Sequence, residues 1–235
     1  MSVPVIAIRP EPGSTATIAS GREAGLAIAA FPLFEMEPVA WEPPPADGID
    51  GLLLGSANAV RLAGPALAAF EDKPVYAVGG ATAAAARAAG LTVAATGQGT
   101  LQPLLETVSP PRTLLRLTGE EHVPVSPPAG VAVETRIVYR AVPLALPAAA
   151  AEMLNGGALV LLHSAAAARH FAAECERLGI ARSAIALAAL APRVAEAAGG
   201  GWREVRCASE PSEAALLALA CDMCHEPPPG SGPSG

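Results

Sequence analysis

The sequence contains an internal duplication, and this feature constrains the fold more than any other. GLLLGSANAVR is echoed by ALVLLHSAAAARHF, so that Ser56 corresponds to Ser164, 108 positions later. YAVGGATAAAARAAG is echoed by ALAALAPRVAEAAGG, and IAIRP around Arg9 is echoed by LLRLT around Arg116. Three echoes in the same order predict two similar lobes, and the cleft between such lobes is a common place for a ligand.

Within each half, short apolar runs alternate with alanine-rich segments of helical character, such as Ala57–Phe70. Continuous apolar strands separated by helices are typical of parallel sheets covered on both faces, so the chain is predicted to be an α/β protein with doubly wound sheets. Between Leu117 and the next strand, three prolines exclude anything longer than a short turn. The predicted strands are Val3–Ile8, Ala30–Phe34, Ile49–Leu54, Val75–Val78, Leu91–Ala95, Thr113–Leu117, Val131–Val142, Ala158–Leu162, Ala184–Leu187 and Glu204–Cys207.

Two proline-flanked segments, Phe31–Trp41 and Val133–Pro143, resemble each other. Both lie where the chain would pass from one lobe to the other. Paired antiparallel, they would form a two-stranded bridge. The C-terminal EPPPGSGPSG cannot build a core and is predicted to be disordered. The predicted boundaries are residues 1–34 with 143–224 for a discontinuous lobe, 42–132 for the second lobe, 35–41 and 133–142 for the bridge, and 225–235 for the tail.

Composition and charge exclude several classes of protein. The net charge is −7 and no basic run occurs, which disfavours nucleic acid as a partner. No apolar stretch reaches the 18 or so residues that a membrane helix needs, so no membrane partner is expected. The first residues lack the pattern of a signal peptide, and a cytoplasmic location is therefore expected.

A cysteine pair near the C-terminus has the spacing of a c-type haem attachment site, Cys221-Asp-Met-Cys224-His225. The absence of an export signal and the helical character of the preceding residues favour incidental thiols at a helix end. A zinc site is less favoured, because no second ligand pair is present. The prediction is that these cysteines bind no metal.

The turns that follow the predicted strands are the candidate binding sites. In doubly wound sheets, ligands lie at the carboxyl ends of strands, over the N-termini of the following helices, where free N–H groups favour anions. A second interpretation applies to each hydroxyl or amide in these turns, since all are good N-cap residues and an N-cap needs no ligand. The residues open to both interpretations are Ser56, Asn58, Thr82 and Ser164.

Five short motifs in order resemble the uroporphyrinogen-III synthase family from about Val5 to Ala220. They are the strand end Ile8-Arg9-Pro10, the turn Gly55-Ser56-Ala57-Asn58-Ala59-Val60, the segment Ala77-Val78-Gly79-Gly80-Ala81-Thr82-Ala83, the bridge motif Val138-Tyr139-Arg140 and the second turn His163-Ser164-Ala165.

This resemblance implies two flavodoxin-like lobes joined by a two-stranded β ladder, with the first βα unit placed in the C-terminal lobe. It implies a cyclising lyase that needs no cofactor and closes the linear tetrapyrrole hydroxymethylbilane with inversion of ring D and loss of water. Tyr139 is then the residue that donates a proton to the departing hydroxyl. The predicted substrate-binding residues are Arg9, Ser56, Ala57, Asn58, Gly79, Thr82, Arg116, Gly119, His163, Ser164, Ala165, Pro192 and Arg193.

The sequence departs from the family pattern mainly in the C-terminal part of the discontinuous lobe. Gly55 and His163 replace the first threonine of the two turns, and Val194 replaces the threonine of the second Gly-x-x-Thr segment. An alternative function therefore stays open, a two-lobed ligand-binding or regulatory protein that has lost activity. As an enzyme, the chain is expected to be a monomer, with at most transient contact with the preceding enzyme of the pathway.

Overall fold

The computed structural model describes residues 3–110 and 112–225. The chain forms two compact units: a split unit, made of the residues up to Glu35 and those from Pro143 onward, and a central unit, Met36–Val142. The predicted disorder of residues 225–235 falls almost wholly outside the described residues.

The strands within the described residues are β1 (Val5–Ala7), β2 (Ile28–Ala30), β3 (Phe34–Pro38), β4 (Gly51–Leu54), β5 (Val75–Val78), β6 (Val93–Gly97), β7 (Arg112–Gly119), β8 (Val131–Pro143), β9 (Leu159–Leu162), β10 (Ala186–Ala189) and β11 (Glu204–Cys207). The α-helices are α1 (Gly13–Glu23), α2 (Ala57–Leu62), α3 (Gly80–Ala88), α4 (Leu101–Leu105), α5 (Ala148–Asn155), α6 (Ala165–Leu178), α7 (Pro192–Ala198) and α8 (Glu213–His225).

The split unit contains a parallel sheet of five strands in the order β11-β10-β9-β1-β2. Alternate residues of β9 enter different cores: Val160 packs in one cluster with Phe171 of α6, and Leu161 packs in another with Leu216 of α8. Both faces of the sheet are covered, which explains why β9 reads as an uninterrupted apolar run.

The central unit contains a sheet of six strands in the order β3-β8-β7-β4-β5-β6. Every pair from β8 to β6 is parallel. The backbone N–H of Val39 donates to Val138 at 2.9 Å, and that of Leu144 donates to Leu33 at 2.9 Å, so β3 runs antiparallel to β8. The predicted α/β fold with two doubly wound lobes is confirmed.

The two sheets share one strand order, since β11-β10-β9-β1-β2 corresponds to β6-β5-β4-β7-β8. The duplication in the sequence is therefore a duplication of topology. One echo in the sequence is out of register in the structure. Leu53 and Leu161 are corresponding positions of the two sheets, but Leu161 pairs with Ala7 whereas Leu53 pairs with Arg116. Arg116 lies inside β7, and Arg9 lies beyond the end of β1, so the two arginines are not equivalent positions.

The structure corrects two local predictions and adds to a third. The helix predicted over Ala57–Phe70 ends at Leu62 and resumes as a 3-10 helix over Gly64–Phe70. Pro65 has no N–H to continue the α-helical ladder, which explains the break. The strand predicted near Ala30–Phe34 is two strands, β2 and β3, with a bend between them. The predicted pairing of the bridge segments is present, and β8 also pairs with β7 along the whole length of that strand.

The segment between β7 and β8 forms no helix, as its prolines predicted. We call residues 120–126 of this segment the strap. Because β7 and β8 are parallel neighbours, the segment must carry the chain from the carboxyl end of one strand back to the start of the next. It begins at the edge of the sheet where ligands bind in doubly wound folds.

Candidate active site

A cavity of about 330 Å³ lies in the central unit, at the carboxyl ends of its parallel strands. The turns after β4 and β6, the end of β5, and side chains of β7, β8 and the strap all contribute to its wall. The lining residues are Gly55, Ser56, Val78, Gly99, Thr100, Leu101, Gln102, Arg116, Thr118, Glu121, His122, Val123, Pro124, Val125 and Tyr139. This is the place that the fold class predicts for a ligand.

Tyr139 enters this cavity through an irregularity between β7 and β8. The register shifts after Thr118, so that Gly119 pairs with Tyr139 and Val138 is skipped. A Cβ atom on Gly119 would lie 2.7 Å from ring atoms of Tyr139, so glycine is required for the ring to lie where it does. The Glu120 N–H donates to the Tyr139 carbonyl at 3.1 Å and fixes the backbone there.

The Tyr139 hydroxyl makes no hydrogen bond to another residue in the part of the chain that the structure describes. The ring is half-buried, and a half-buried phenol normally finds a polar partner. A hydroxyl can donate one proton and accept on two lone pairs. At the cavity wall, this group is available to donate to a ligand.

Arg116 is the cationic side chain of the cavity wall, and it is 4% exposed. Its Nη2 donates to the Val123 carbonyl of the strap at 2.8 Å, while its Nε has no hydrogen-bond partner. Among the described residues, no carboxylate lies within 4.0 Å of the guanidinium. Burial lowers the pKa of Arg116, because removing a cation from water disfavours its charged form.

Two further contacts hold the strap beside the cavity. The side chain of Gln102 on α4 accepts from the Ser126 N–H at 2.9 Å and donates to the Ser126 carbonyl at 2.9 Å. The Nδ1–H of His122 donates to the carbonyls of Gly119 at 2.9 Å and Glu120 at 3.1 Å. Sequence reasoning missed Gln102 and the strap residues, because an aperiodic, proline-rich segment gives no signal of where it folds.

The turn after β4 joins the cavity through Ser56. Ser56 is the N-cap of α2, and its Oγ accepts from the Asn58 N–H at 3.2 Å. Capping uses an acceptor lone pair, so the Ser56 O–H can still donate to a ligand. The Asn58 side chain accepts from Arg61 at 3.4 Å. The cavity thus brings together Ser56, Arg116 and Tyr139, with Gly119 beneath the tyrosine ring, and its wall does not include Ala57, Asn58, Gly79 or Thr82.

The split unit has a different polar cluster at its strand ends, centred on Glu213, the first residue of α8. The Glu213 carboxylate accepts from Arg9 Nη1 at 2.9 Å, His163 Nε2 at 3.1 Å and Thr17 Oγ1 at 2.5 Å. Because the carboxylate only accepts, His163 must carry its proton on Nε2, and its Nδ1 is buried without a partner. Glu213 was missed because it lies 204 positions from Arg9 and 50 from His163. Thr17 was missed because a threonine inside a helical segment gives no signal of a distant partner.

Burial raises the pKa of Glu213, but its hydrogen bonds from His163 and Thr17 and its electrostatic interactions with His163 and Arg9 outweigh burial and lower it to about 2. The carboxylate is therefore ionised at neutral pH. It also lies in the first turn of α8, where the helix dipole favours a negative charge. Arg9 is consequently a neutralised cation.

The other predicted residues of the split unit lie at its strand ends without forming a side-chain cluster. Ser164 caps α6 by accepting from the Ala167 N–H at 3.1 Å, and Ala165 is the first residue of that helix. Pro192 begins α7, and Arg193 is exposed on it. Pro192 has no N–H, so it could not contribute backbone donation to an anion.

The described residues contain no group of three or more His, Cys, Asp or Glu side chains that could hold a metal ion. The Cys221 Sγ lies 3.6 Å from the Ala24 carbonyl, and the side chain of His225 lies outside the described part. Over the same described ranges, every helix is too short or too polar to cross a bilayer.

Comparison with known proteins shows one family. A family model described as Uroporphyrinogen-III synthase HemD matches residues 15–218. A crystal structure of uroporphyrinogen-III synthetase from Helicobacter pylori is similar over 94% of this chain and 99% of that chain, with a TM-score of 0.64 and 18% identity. A mutant uroporphyrinogen III synthase from the extremely thermophilic bacterium Thermus thermophilus gives 95% and 100% coverage, a TM-score of 0.51 and 17% identity. No curated protein gives a significant sequence match.

Proposed function

Because the chain belongs to the uroporphyrinogen-III synthase family, a family of cyclising lyases of porphyrin biosynthesis, we propose that the cavity of the central unit is the active site in which hydroxymethylbilane is closed to a macrocycle. The observation that supports this assignment is the Tyr139 hydroxyl, which lines the cavity and makes no hydrogen bond to another described residue. A general acid must have a proton that it is free to give to the reacting group.

The reaction breaks the bond between the hydroxymethyl carbon and its oxygen. Tyr139 donates its phenolic proton to the hydroxyl, which leaves as water, and the pyrrole nitrogen stabilises the resulting azafulvene cation. The substituted α-carbon of ring D, which already carries the methylene bridge to ring C, attacks that carbon and forms a spiro intermediate. The bond between this α-carbon and the ring C methylene then breaks and leaves an azafulvene cation on ring C. The unsubstituted α-carbon of ring D attacks that methylene carbon and loses its proton, so ring D is inverted and the macrocycle closes. The proton released at closure restores the phenol, so the net change is the loss of one water, with no change in oxidation state.

The protein must also direct attack to the substituted carbon of ring D, since unassisted closure gives the symmetric isomer. Holding a flexible chain in one reactive conformation contributes to rate by removing conformational freedom before the reaction. We propose that Ser56 contributes by donating its hydroxyl proton to a substrate carboxylate while its lone pair caps α2. The N–H groups at the start of α6, near Ser164 and Ala165, are proposed to bind further carboxylates.

The structure favours a supporting part for Arg9 and His163. Both side chains donate to Glu213, which ties the ends of β1 and β9 to the start of α8. We assign them to holding these strand ends in place. The proposals that Ala57, Asn58, Gly79, Thr82, Pro192 and Arg193 contact substrate rest on the family resemblance alone.

We also propose that the protein acts as a cytoplasmic monomer that receives its substrate through transient contact with the preceding enzyme of the pathway. The substrate closes spontaneously to the wrong isomer, so a short transit would favour the correct product. Light scattering after size exclusion tests the monomer, and a mass of twice 23.4 kDa would contradict it.

One assay tests the proposed reaction. The protein is supplied with freshly prepared hydroxymethylbilane, and the products are oxidised and separated as porphyrin isomers. We expect the type III isomer to exceed the type I isomer in proportion to enzyme concentration. Type I alone, at the rate of the enzyme-free control, would overturn the proposal and favour the non-catalytic alternative.

A further inference from the structure

Arg116 is a buried cation without an anionic partner, which is an unfavourable arrangement for a protein by itself. Moving a charge out of water is costly unless an opposite charge or a full set of hydrogen bonds replaces the water. The Arg116 side chain has one hydrogen bond, to a neutral carbonyl, and its Nε has none. An arrangement of this kind, in the wall of a cavity, indicates that the missing anion belongs to a ligand.

The charged groups around Arg116 do not supply that anion. Glu121 lines the same cavity but forms no ion pair within 4.0 Å among the described residues. Burial is the cause of the lowered pKa of Arg116, with no contribution from a neighbouring carboxylate. The other strand-end arginine differs, since Arg9 has the carboxylate of Glu213 at 2.9 Å.

The place of Arg116 in β7 puts its side chain beside apolar residues. Side chains alternate across a strand, so Arg116 shares a face with Leu114 and Thr118. Leu114 packs with Leu104 and Leu105 of α4 in an apolar cluster. The guanidinium therefore emerges from an apolar core at the cavity wall, where the bond to Val123 orients it.

We propose that Arg116 is the residue that selects for a negatively charged substrate side chain, by taking one carboxylate of the ligand as its counter-ion in the cavity of the central unit. This inference rests on the proposed function for the identity of the ligand as a carboxylated pyrrole. A guanidinium can give a carboxylate two parallel hydrogen bonds, and such charge-assisted bonds are the strong ones. Arg116 is thus a specificity-determining residue, distinct from the proton donor Tyr139.

The test is a binding measurement that involves no reaction. The probes are a monopyrrole with one acetate and one propionate side chain and the dimethyl ester of the same compound, titrated by calorimetry. We expect the wild-type protein to bind the diacid at least about tenfold more tightly than the ester, the factor that one lost charge-assisted hydrogen bond gives. Equal binding of the two probes by the wild-type protein would overturn the inference without any variant.

Variants then locate the selectivity. Arg116→Gln is expected to reduce the preference for the diacid by about tenfold, to the part that Ser56 and helix-start N–H groups supply, whereas the control Arg112→Gln, at the other end of β7, keeps the wild-type preference. A wild-type preference in Arg116→Gln, or its loss in Arg112→Gln, would contradict the assignment. We also expect the midpoint of thermal unfolding of Arg116→Gln to be no lower than that of wild type, because the change removes an unpaired buried charge.

This experiment separates the inference from the proposed function. A protein that prefers the diacid through Arg116 but forms only type I porphyrin would retain the inference and refute the reaction. A protein that forms type III porphyrin but binds acid and ester equally would retain the reaction and refute the inference.

Discussion

Arg9 and Arg116 come from echoed segments of a duplicated sequence, yet the split unit neutralises Arg9 with Glu213 and the central unit leaves Arg116 without a carboxylate. The difference arises from register. Arg9 lies beyond its strand, within reach of the start of α8, whereas Arg116 lies inside β7 and is buried. A duplicated scaffold can thus supply a structural ion cluster in one copy and an unpaired cation, free for a ligand, in the other.

The central unit also carries the proposed proton donor. Tyr139 comes from β8, whose counterpart in the split unit is the short edge strand β2. β2 ends at Ala30 and carries no residue comparable to Tyr139. In the split unit, Arg9, His163 and Thr17 all donate to Glu213. In the central unit, Arg116 and Tyr139 line a cavity. Each prediction below tests one side of this contrast.

The largest effect is expected for Tyr139→Phe, which removes the hydroxyl and keeps the ring. General acids contribute about 100-fold to 10,000-fold, so kcat for type III product should fall by at least about 100-fold while KM changes little. The control is Tyr76→Phe, the other tyrosine of the chain, which lies in β5 outside the cavity wall. An unchanged kcat at saturating substrate would remove Tyr139 from the mechanism.

A smaller loss of activity is expected for Gly119→Ala, which tests the placement of the same ring. The added Cβ would lie 2.7 Å from ring atoms of Tyr139, so the ring must move. A displaced catalytic group costs activity even when its chemistry is intact, and we expect kcat to fall by roughly tenfold to a hundredfold. Gly130→Ala would not be a clean control, because its φ is +81°; Gly48→Ala, with open space around it, is suitable. Wild-type kcat in Gly119→Ala would show that the ring position is not required.

In the split unit, Glu213→Gln is expected to affect stability. The pKa of Glu213 in the folded protein, about 2, lies below its ordinary value of 4.5. The ionised cluster therefore stabilises the fold above pH 4.5, and this contribution is lost as the pH falls from 4.5 towards 2. At pH 7 we expect the variant to lose about 1–3 kcal/mol in the free energy of unfolding.

The dependence of this stability difference on pH tests whether the charge of Glu213 is its cause. The difference in stability between wild type and Glu213→Gln should shrink between pH 4.5 and pH 2, as followed by urea unfolding. Glu152→Gln, an exposed carboxylate on α5 without a hydrogen bond or ion pair to a described residue, is the matched control. A difference that stays constant over this range would mean that the charge of Glu213 does not stabilise the cluster.

The sequence predicted the layers of the fold well, because buried parallel strands leave continuous apolar runs such as Leu159–Leu162. It also identified Tyr139, Ser56 and Arg116, three residues that meet at one cavity. The duplication and the family motifs carried these predictions. Glu213 gave no signal, since it lies 204 positions from Arg9 and a single glutamate at a helix start reads as an ordinary first-turn acid.

Two other features depend on tertiary contacts and could therefore not be predicted from the sequence. The skip in register that pairs Gly119 with Tyr139 depends on tertiary packing of a ring against a backbone. The strap is held by side-chain bonds from Gln102 and Arg116 to its backbone, and such bonds leave no periodic pattern in the sequence.

The central claim is that Arg116 binds substrate through its positive charge, whereas the positive charge of Arg9 stabilises the fold. Steady-state kinetics of Arg116→Gln and Arg9→Gln on hydroxymethylbilane, with thermal unfolding of both, test it most directly. We predict that Arg116→Gln raises KM by about 10-fold to 100-fold without lowering the unfolding midpoint. Arg9→Gln should raise KM far less and lower the midpoint. A larger rise in KM for Arg9→Gln than for Arg116→Gln would contradict the account.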